Sequence, residues 1–207
     1  MSPRPYRLGQ RQVATEQTRN RILIAARKLL MLDEGISGFS IDAVARQADV
    51  ARMTVYHQFG SKTGLLEALC DSLATSGGME QLASAFRQAD PFDALDTYIV
   101  VFARFWQADR LVTRRLRGLA ALDPEFEQVI RARDERRRKG LHVLVQRFEE
   151  RQSPPALQTH EDIVNMLYTL LSFECFDTLA GPARSIEEVV PAIQRLARAA
   201  LASGKAM

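Results

Sequence analysis

The sequence predicts an all-α protein: an N-terminal helix-turn-helix domain followed by a larger helical domain, about nine helices in two parts. Three observations predict it. Apolar residues recur at three- and four-residue steps along most of the 207-residue chain, the period of helices that bury one face. No stretch alternates convincingly enough to make a strand. The 11 Gly and 8 Pro fall mostly between the periodic runs, where they mark short connections. With 46% hydrophobic residues the chain can build a sizeable core.

Residues 1–14 hold Arg4, Arg7 and Arg11 with two prolines, and read as a flexible basic arm. Thr15 or Thr18 can cap a first helix whose apolar face is Ile22, Ala25, Ala26, Leu29, Leu30 and Leu32, stopped by Gly35. Ser40 can cap a short helix lined by Ile41, Val44, Ala45 and Ala48. Asp49 suits a tight turn, since Asp tolerates the left-handed region better than most residues. A second short helix, "ARMTVYHQF", places Val50, Val55 and Phe59 inward, and Ser61 caps a fourth helix that ends at Gly77-Gly78. Residues 15–76 form this first domain and 77–207 the second. In the second, Met79–Ala89, Phe92–Gln107 and Ala108–Ala121 read as helices, with Pro91 as a start signal. A long helix runs from Asp123-Pro124-Glu125 to about Arg151 and breaks at Ser153-Pro154-Pro155. Glu161–Ala180 reads as one very apolar helix ended by Gly181-Pro182, and Ser185 caps a last one, Ile186–Ala202.

Charge is unevenly spread. Residues 1–62 hold ten Arg or Lys against five Asp or Glu, and residues 63–207 hold 18 against 20. A basic front suits a polyanion, although small basic excesses are common. Two short helices with a tight turn and a polar outer face on the second form a helix-turn-helix. Val50, Val55 and Phe59 hold the second helix inward, so Arg52, Thr54, Tyr56 and His57 look outward. Arg52 can donate to guanine or phosphate, and Thr54 can meet a thymine methyl or a base edge. Tyr56 and His57 can donate to phosphates, and Ser61-Lys62 at a helix N-terminus makes a phosphate anchor. The alternatives are a solvated face for Arg52 and Thr54, and a half-buried core position for Tyr56.

Over residues 15–69, "TRNRILIAARKLLMLDEGISGFSIDAVARQADVARMTVYHQFGSKTGLLEAL" resembles the TetR family of transcriptional regulators. The matching order is Gly35, Phe39-Ser40, Ile41, Ala45, Val50, Thr54, Tyr56, Phe59 and Lys62. The resemblance implies that Ser40, Tyr56, His57 and Lys62 touch phosphates, and that Arg52, Met53 and Thr54 face bases. Two positions depart from the pattern: Asp49 stands where the family usually has Gly, and Met53 where Gly or a small polar residue is common. Both bear on the operator sequence rather than the fold.

The second part concentrates aromatics, most of them core. Bundles place ligands between helices, and the resemblance implies an effector pocket there, for which Phe102, Phe105, Trp106, Met166, Tyr168 and Phe173 are the candidates. Glu174, inside an apolar run, is costly unless paired or wet. "RARDERRRKG", Arg131–Gly140, reads as a solvated helix segment, and "HED", His160–Asp162, as an acidic helix-opening turn.

The expected function is a ligand-responsive DNA-binding regulator, a repressor released from a near-palindromic operator by a hydrophobic or aromatic small molecule. The alternative is a non-catalytic helical small-molecule-binding or protein-interaction module. No Gly-rich phosphate loop, nucleophile elbow or His-rich metal pattern argues for an enzyme, a cofactor or a metal. The chain is expected to be cytoplasmic with reduced Cys70 and Cys175, and to act as a homodimer. The dimer face is expected on the last two helices, through Val189, Val190, Ile193, Leu196, Ala197, Ala200 and Leu201.

Overall fold

The computed structural model describes the backbone of residues 4–151 and 159–202, and side chains from residue 12 to 151 and from 159 to 201. Among the described residues the chain is helical without strands: eleven α-helices and two short 3-10 turns, against the nine or so expected. By contacts it divides into two compact units. The first is the chain up to Ser72 together with Leu111–Glu127, and the second is Leu73–Arg110 with the chain from Gln128 onward. The sequence boundary at 76/77 assigns Leu111–Glu127 to the second part; in the structure this segment packs with the first.

The first unit is built from α1 (Arg4–Leu29), α2 (Ile41–Gln47), α3 (Arg52–Phe59), most of α4 (Lys62–Ser76) and the 111–127 segment of α7 (Arg110–Ala120) and its sequel. Its core is Ile22, Ala26, Leu30, Phe39, Val44, Val55, Leu65, Leu66 and Leu69, all buried. The expected flexible arm is corrected in part. Met1–Pro3 lie outside the described residues, but the backbone is helical from Arg4. Neither Thr15 nor Thr18 starts a helix, because nothing breaks the chain before them, and the Thr18 hydroxyl donates to the Ala14 carbonyl of its own helix at 2.9 Å. α1 ends at Leu29, and turns lead to Gly35 at φ 49°. The Arg115 guanidinium closes this end. Its Nη1 donates to the Leu30 carbonyl at 2.6 Å and also to that of Leu32. A cation there satisfies carbonyls the helix leaves open.

The second unit holds the 3-10 turn Met79–Gln81, α5 (Leu82–Arg87), α6 (Pro91–Ala108), nearly all of α8 (Pro124–Glu149), α9 (His160–Leu170), α10 (Phe173–Ala180), the 3-10 turn Glu187–Val189 and α11 (Val190–Ala202). Asp90 caps α6, accepting from the Phe92 amide at 2.8 Å, with Pro91 behind it. α5 packs on α6, and α11 packs on α9 and α6, around a core containing Tyr98, Phe102, Trp106, Leu141, Ile163, Phe173, Phe176 and Ile193. The Ser153-Pro154-Pro155 break lies outside the described residues.

Two expectations change here. Glu161–Ala180 is two helices, bent by 49°, because Ser172 caps the second and accepts from the Cys175 amide. Glu174 is therefore exposed in the first turn of α10, where a carboxylate suits the positive end of a helix. The stripe expected to pair two chains is core instead. Val189, Ile193, Ala197, Ala200 and Leu201 are buried within one chain, Val190 partly so, and only Leu196 is exposed, at 47%. Their three- and four-residue spacing marks a buried face without saying what buries it. No single described helix is long and apolar enough to cross a membrane. Cys70 and Cys175 form no disulfide.

Candidate nucleic-acid interface and aromatic cluster

The interface begins with the link between α2 and α3. Ser40 is exposed and caps α2, accepting from the Ala43 amide at 3.1 Å. The turn reverses at Asp49, the one described non-glycine residue with positive φ, at 50°. The Val50 amide donates back to the Ala45 carbonyl at 3.0 Å, which fixes where α3 starts. Val55, 1% exposed, pins α3 inward. On the other side Arg52, Met53 and His57 are exposed, Met53 at 60%, while Thr54 and Tyr56 are half-buried. All five expected α3 residues are therefore at least partly accessible.

Arg52 is already engaged on that face. Its Nη1 donates to Asp42 Oδ2 at 3.2 Å and its Nη2 to the Tyr56 hydroxyl at 3.3 Å. The Tyr56 hydrogen bond and the Asp42 charge hold its pKa above the ordinary arginine value. The far end of α3 is held by a residue that sequence reasoning passed over. Arg19 on α1 lies over the Phe59 ring at 4.5 Å and donates to the Gln58 carbonyl at 3.0 Å.

α4 abuts α3 closely. Ser61 Oγ accepts from the Gly64 amide at 2.9 Å, and a Cβ at Gly64 would stand 2.1 Å from the Phe59 carbonyl oxygen. Only glycine admits that approach. Lys62 opens α4, half-buried, with Nζ 3.8 Å from Asp123 Oδ2, and next to it Thr63 donates to Glu125 Oε2 at 2.8 Å. The expected phosphate anchor thus has an internal carboxylate in attendance, which no local motif foretells.

In the second unit five of the six expected ligand residues gather. The Trp106 ring lies 4.5 Å from Phe105, 5.6 Å from Phe173 and 5.8 Å from Phe102, centre to centre. Tyr168 joins them through Arg137, whose guanidinium carbon sits 4.6 Å from the Tyr168 ring centre and 6.0 Å from those of Phe102 and Trp106. Met166 is half-buried against the same core. Phe102, Trp106 and Phe173 are themselves buried. The Arg131–Gly140 run, expected to be solvated, is so at Arg131, Glu135, Arg136 and Lys139, but the Arg137 side chain is only 3% exposed. The Tyr98 hydroxyl donates to the Arg137 carbonyl at 2.9 Å, and burial pushes the phenol above its ordinary range, with Arg137 pulling the other way.

"HED" does open a helix. Thr159 and Asp162 form a reciprocal capping box, and its hydrogen bonds hold the Asp162 carboxyl below the ordinary range. His160 turns elsewhere, with Nε2 2.9 Å from His142 Nδ1 and Nδ1 2.8 Å from Glu149 Oε2. Among the described residues no three His, Cys, Asp or Glu side chains converge as metal ligands.

One unit carries a helix-turn-helix and the other is helical throughout, the architecture of two-part DNA-binding regulators. Residues 22–69 match the model of bacterial regulatory proteins of the tetR family. The fold is that of solved TetR-family regulators. PfmR of Thermus thermophilus is 23% identical at a TM-score of 0.66, covering 90% of this chain and 100% of its own. A transcriptional regulator from a Rhodococcus species is 19% identical at 0.68, covering 91% and 98%. NalD of Pseudomonas aeruginosa, the secondary repressor of the MexAB-OprM efflux pump, is 20% identical at 0.67, covering 91% and 97%. No curated protein matches. The match to the tetR-family model thus falls on the helix-turn-helix of the first unit, and over the length of the chain the likeness to these regulators is one of fold.

Proposed function

We propose that this regulator is a ligand-responsive repressor that leaves a near-palindromic operator when a hydrophobic or aromatic small molecule binds its second part. The observation that carries the DNA half is the outer face of α3, with Arg52, Met53 and His57 exposed while Val55 pins the opposite side. On this reading Arg52, Met53 and Thr54 read base edges in the major groove. Ser40, Tyr56, His57 and Lys62 position the phosphates. One short helix reads few base pairs, so two copies acting on half-sites about 34–36 Å apart give useful affinity. The effector half is supported by the ring cluster of Phe102, Phe105, Trp106, Phe173 and Tyr168, with Met166 beside it. Residues 15–76 then serve as the DNA-binding part and 77–207 as the effector and dimerisation part. NalD, of the same fold, is a repressor, which supports the sign of the response.

An effector that prefers the DNA-free state must raise thermal stability and lower operator affinity together. The test is selection of bound duplexes from a random pool at a stated salt concentration, followed by effector titration on the selected site. Enrichment of a near-palindrome is expected. Binding without enrichment, or none, would turn the reading toward a helical binding module whose basic front is incidental.

A further inference from the structure

We infer that Arg137 is the anion-binding group of the effector site, so that the effector is an apolar or aromatic molecule bearing a carboxylate. The inference rests on the reading of the second part as effector-binding. It starts from buried donors that make no hydrogen bond. The Arg137 side chain is 3% exposed, yet its Nε and Nη1 make no hydrogen bond. Asp134 Oδ1 lies 3.3 Å from Nη1 and supplies a nearby opposite charge, but not the alignment of a hydrogen bond. Three rings also stand around it: Tyr168 at 4.6 Å, and Phe102 and Trp106 at 6.0 Å. Their faces attract a cation but accept nothing in the guanidinium plane. Trp106 Nε1, on one of those same rings, is also buried without an acceptor.

Buried donors are nearly always paired, and a guanidinium does not escape the cost by losing its proton. Three unsatisfied nitrogen donors around one cluster of rings therefore describe a site by what it lacks, which is acceptor oxygens. A carboxylate supplies them with a full negative charge, and a guanidinium takes it along one edge, Nη1 with Nη2 or Nε with Nη2. The rings take the apolar remainder of the molecule. A cationic or purely donating ligand would leave these groups as they are.

The experiment uses matched acids and amides on the intact protein: benzoate and benzamide, 2-naphthoate and 2-naphthamide, indole-3-acetate and indole-3-acetamide, decanoate and decanamide. Binding is read by thermal shift and by fluorescence of Trp106, the single tryptophan. At least one acid is expected to bind about 30-fold or more tightly than its amide, the scale of losing one partner of a buried charge pair. Arg137→Met should erase that preference, and Arg137→Lys, which keeps the charge without the fork, should retain part of it. Binding of acids and amides alike, binding of none of the eight, or a preference that survives Arg137→Met overturns the proposal. If Arg137→Met does not fold, the matched pairs on the native protein and on Arg137→Lys decide. Operator affinity is measured alongside. Acids that bind preferentially without loosening the operator leave the anion site standing and remove the effector reading. Amides that loosen it equally do the reverse.

Discussion

Arg52 shows how a residue is prepared for a partner before the partner arrives. Its guanidinium is shared between Asp42 and Tyr56, so contact with a base requires an exchange of partners rather than capture of a free cation. Arg52→Ala is expected to relax operator preference by about tenfold to a hundredfold at the base it meets. Asp42→Asn keeps an acceptor oxygen but loses the charge, so it holds Arg52 less strongly and no longer repels DNA, and it should tighten binding to all sequences. Competition binding with operator and scrambled duplex measures both. An Arg52→Ala protein with unchanged preference would take base reading away from this residue. Asp49 offers an independent test. It holds the left-handed turn at φ 50° and is exposed. Asn tolerates that region as well as Asp does, so Asp49→Asn should keep thermal stability while raising DNA affinity most at low salt, where charge repulsion is least screened. Equal affinity at low salt would place the Asp49 carboxylate away from the phosphates.

At the scale of elements, caps were the legible part. Ser40 and Ser61 stand where the sequence puts them because a cap is a local event, one side chain and an amide three residues on. Ser172 is the same kind of signal, hidden within "LYTLLSFECF", where the apolar run outweighs it and predicts one helix in place of two. What stayed illegible depends on distant chain segments. Arg137 stands four, seven and eleven residues before the buried Leu141, Leu144 and Phe148, so its side of α8 follows from helical spacing, but the α6 and α9 aromatics that pack around it do not. The gathering of the Trp106 rings was readable as composition but not as geometry. Arg115 is another long-range case, 85 residues from the Leu30 carbonyl it serves. Arg115→Ala leaves the end of α1 without its donor and should cost about 1.5–3 kcal/mol, the range for hydrogen bonds to a charged group. Arg115→Lys should recover little of it, since a single ammonium lacks the fork. Urea denaturation measures both, and an unmoved midpoint for Arg115→Ala would mean that water replaces the guanidinium there.

For the whole molecule the proposed pairing of two copies is tested on α11, where two substitutions have opposite consequences. Ile193 is 0% exposed within one chain, in a core shared with α6 and α9. Ile193→Asp removes that packing and buries an unpaired charge, a loss of about 3–5 kcal/mol. Against the 5–15 kcal/mol or so that holds a typical domain together, such a change leaves little margin. It should unfold the second unit at lower temperature whatever the oligomeric state. Leu196 lies three residues on and is 47% exposed, so one chain alone gives it little to bury against. Leu196→Asp should leave the helical signal and the melting of the isolated chain nearly unchanged. If the outer side of α11 faces a second copy, the same change puts two like charges into a self-complementary contact and the dimer separates. Light scattering then gives the single-chain mass, and operator affinity falls because each chain holds its half-site alone. Circular dichroism on the same samples separates dissociation from unfolding. A Leu196→Asp protein that stays dimeric and binds operator normally would take the outer side of α11 out of the interface, and the search for a contact between copies would move to the exposed residues of α10.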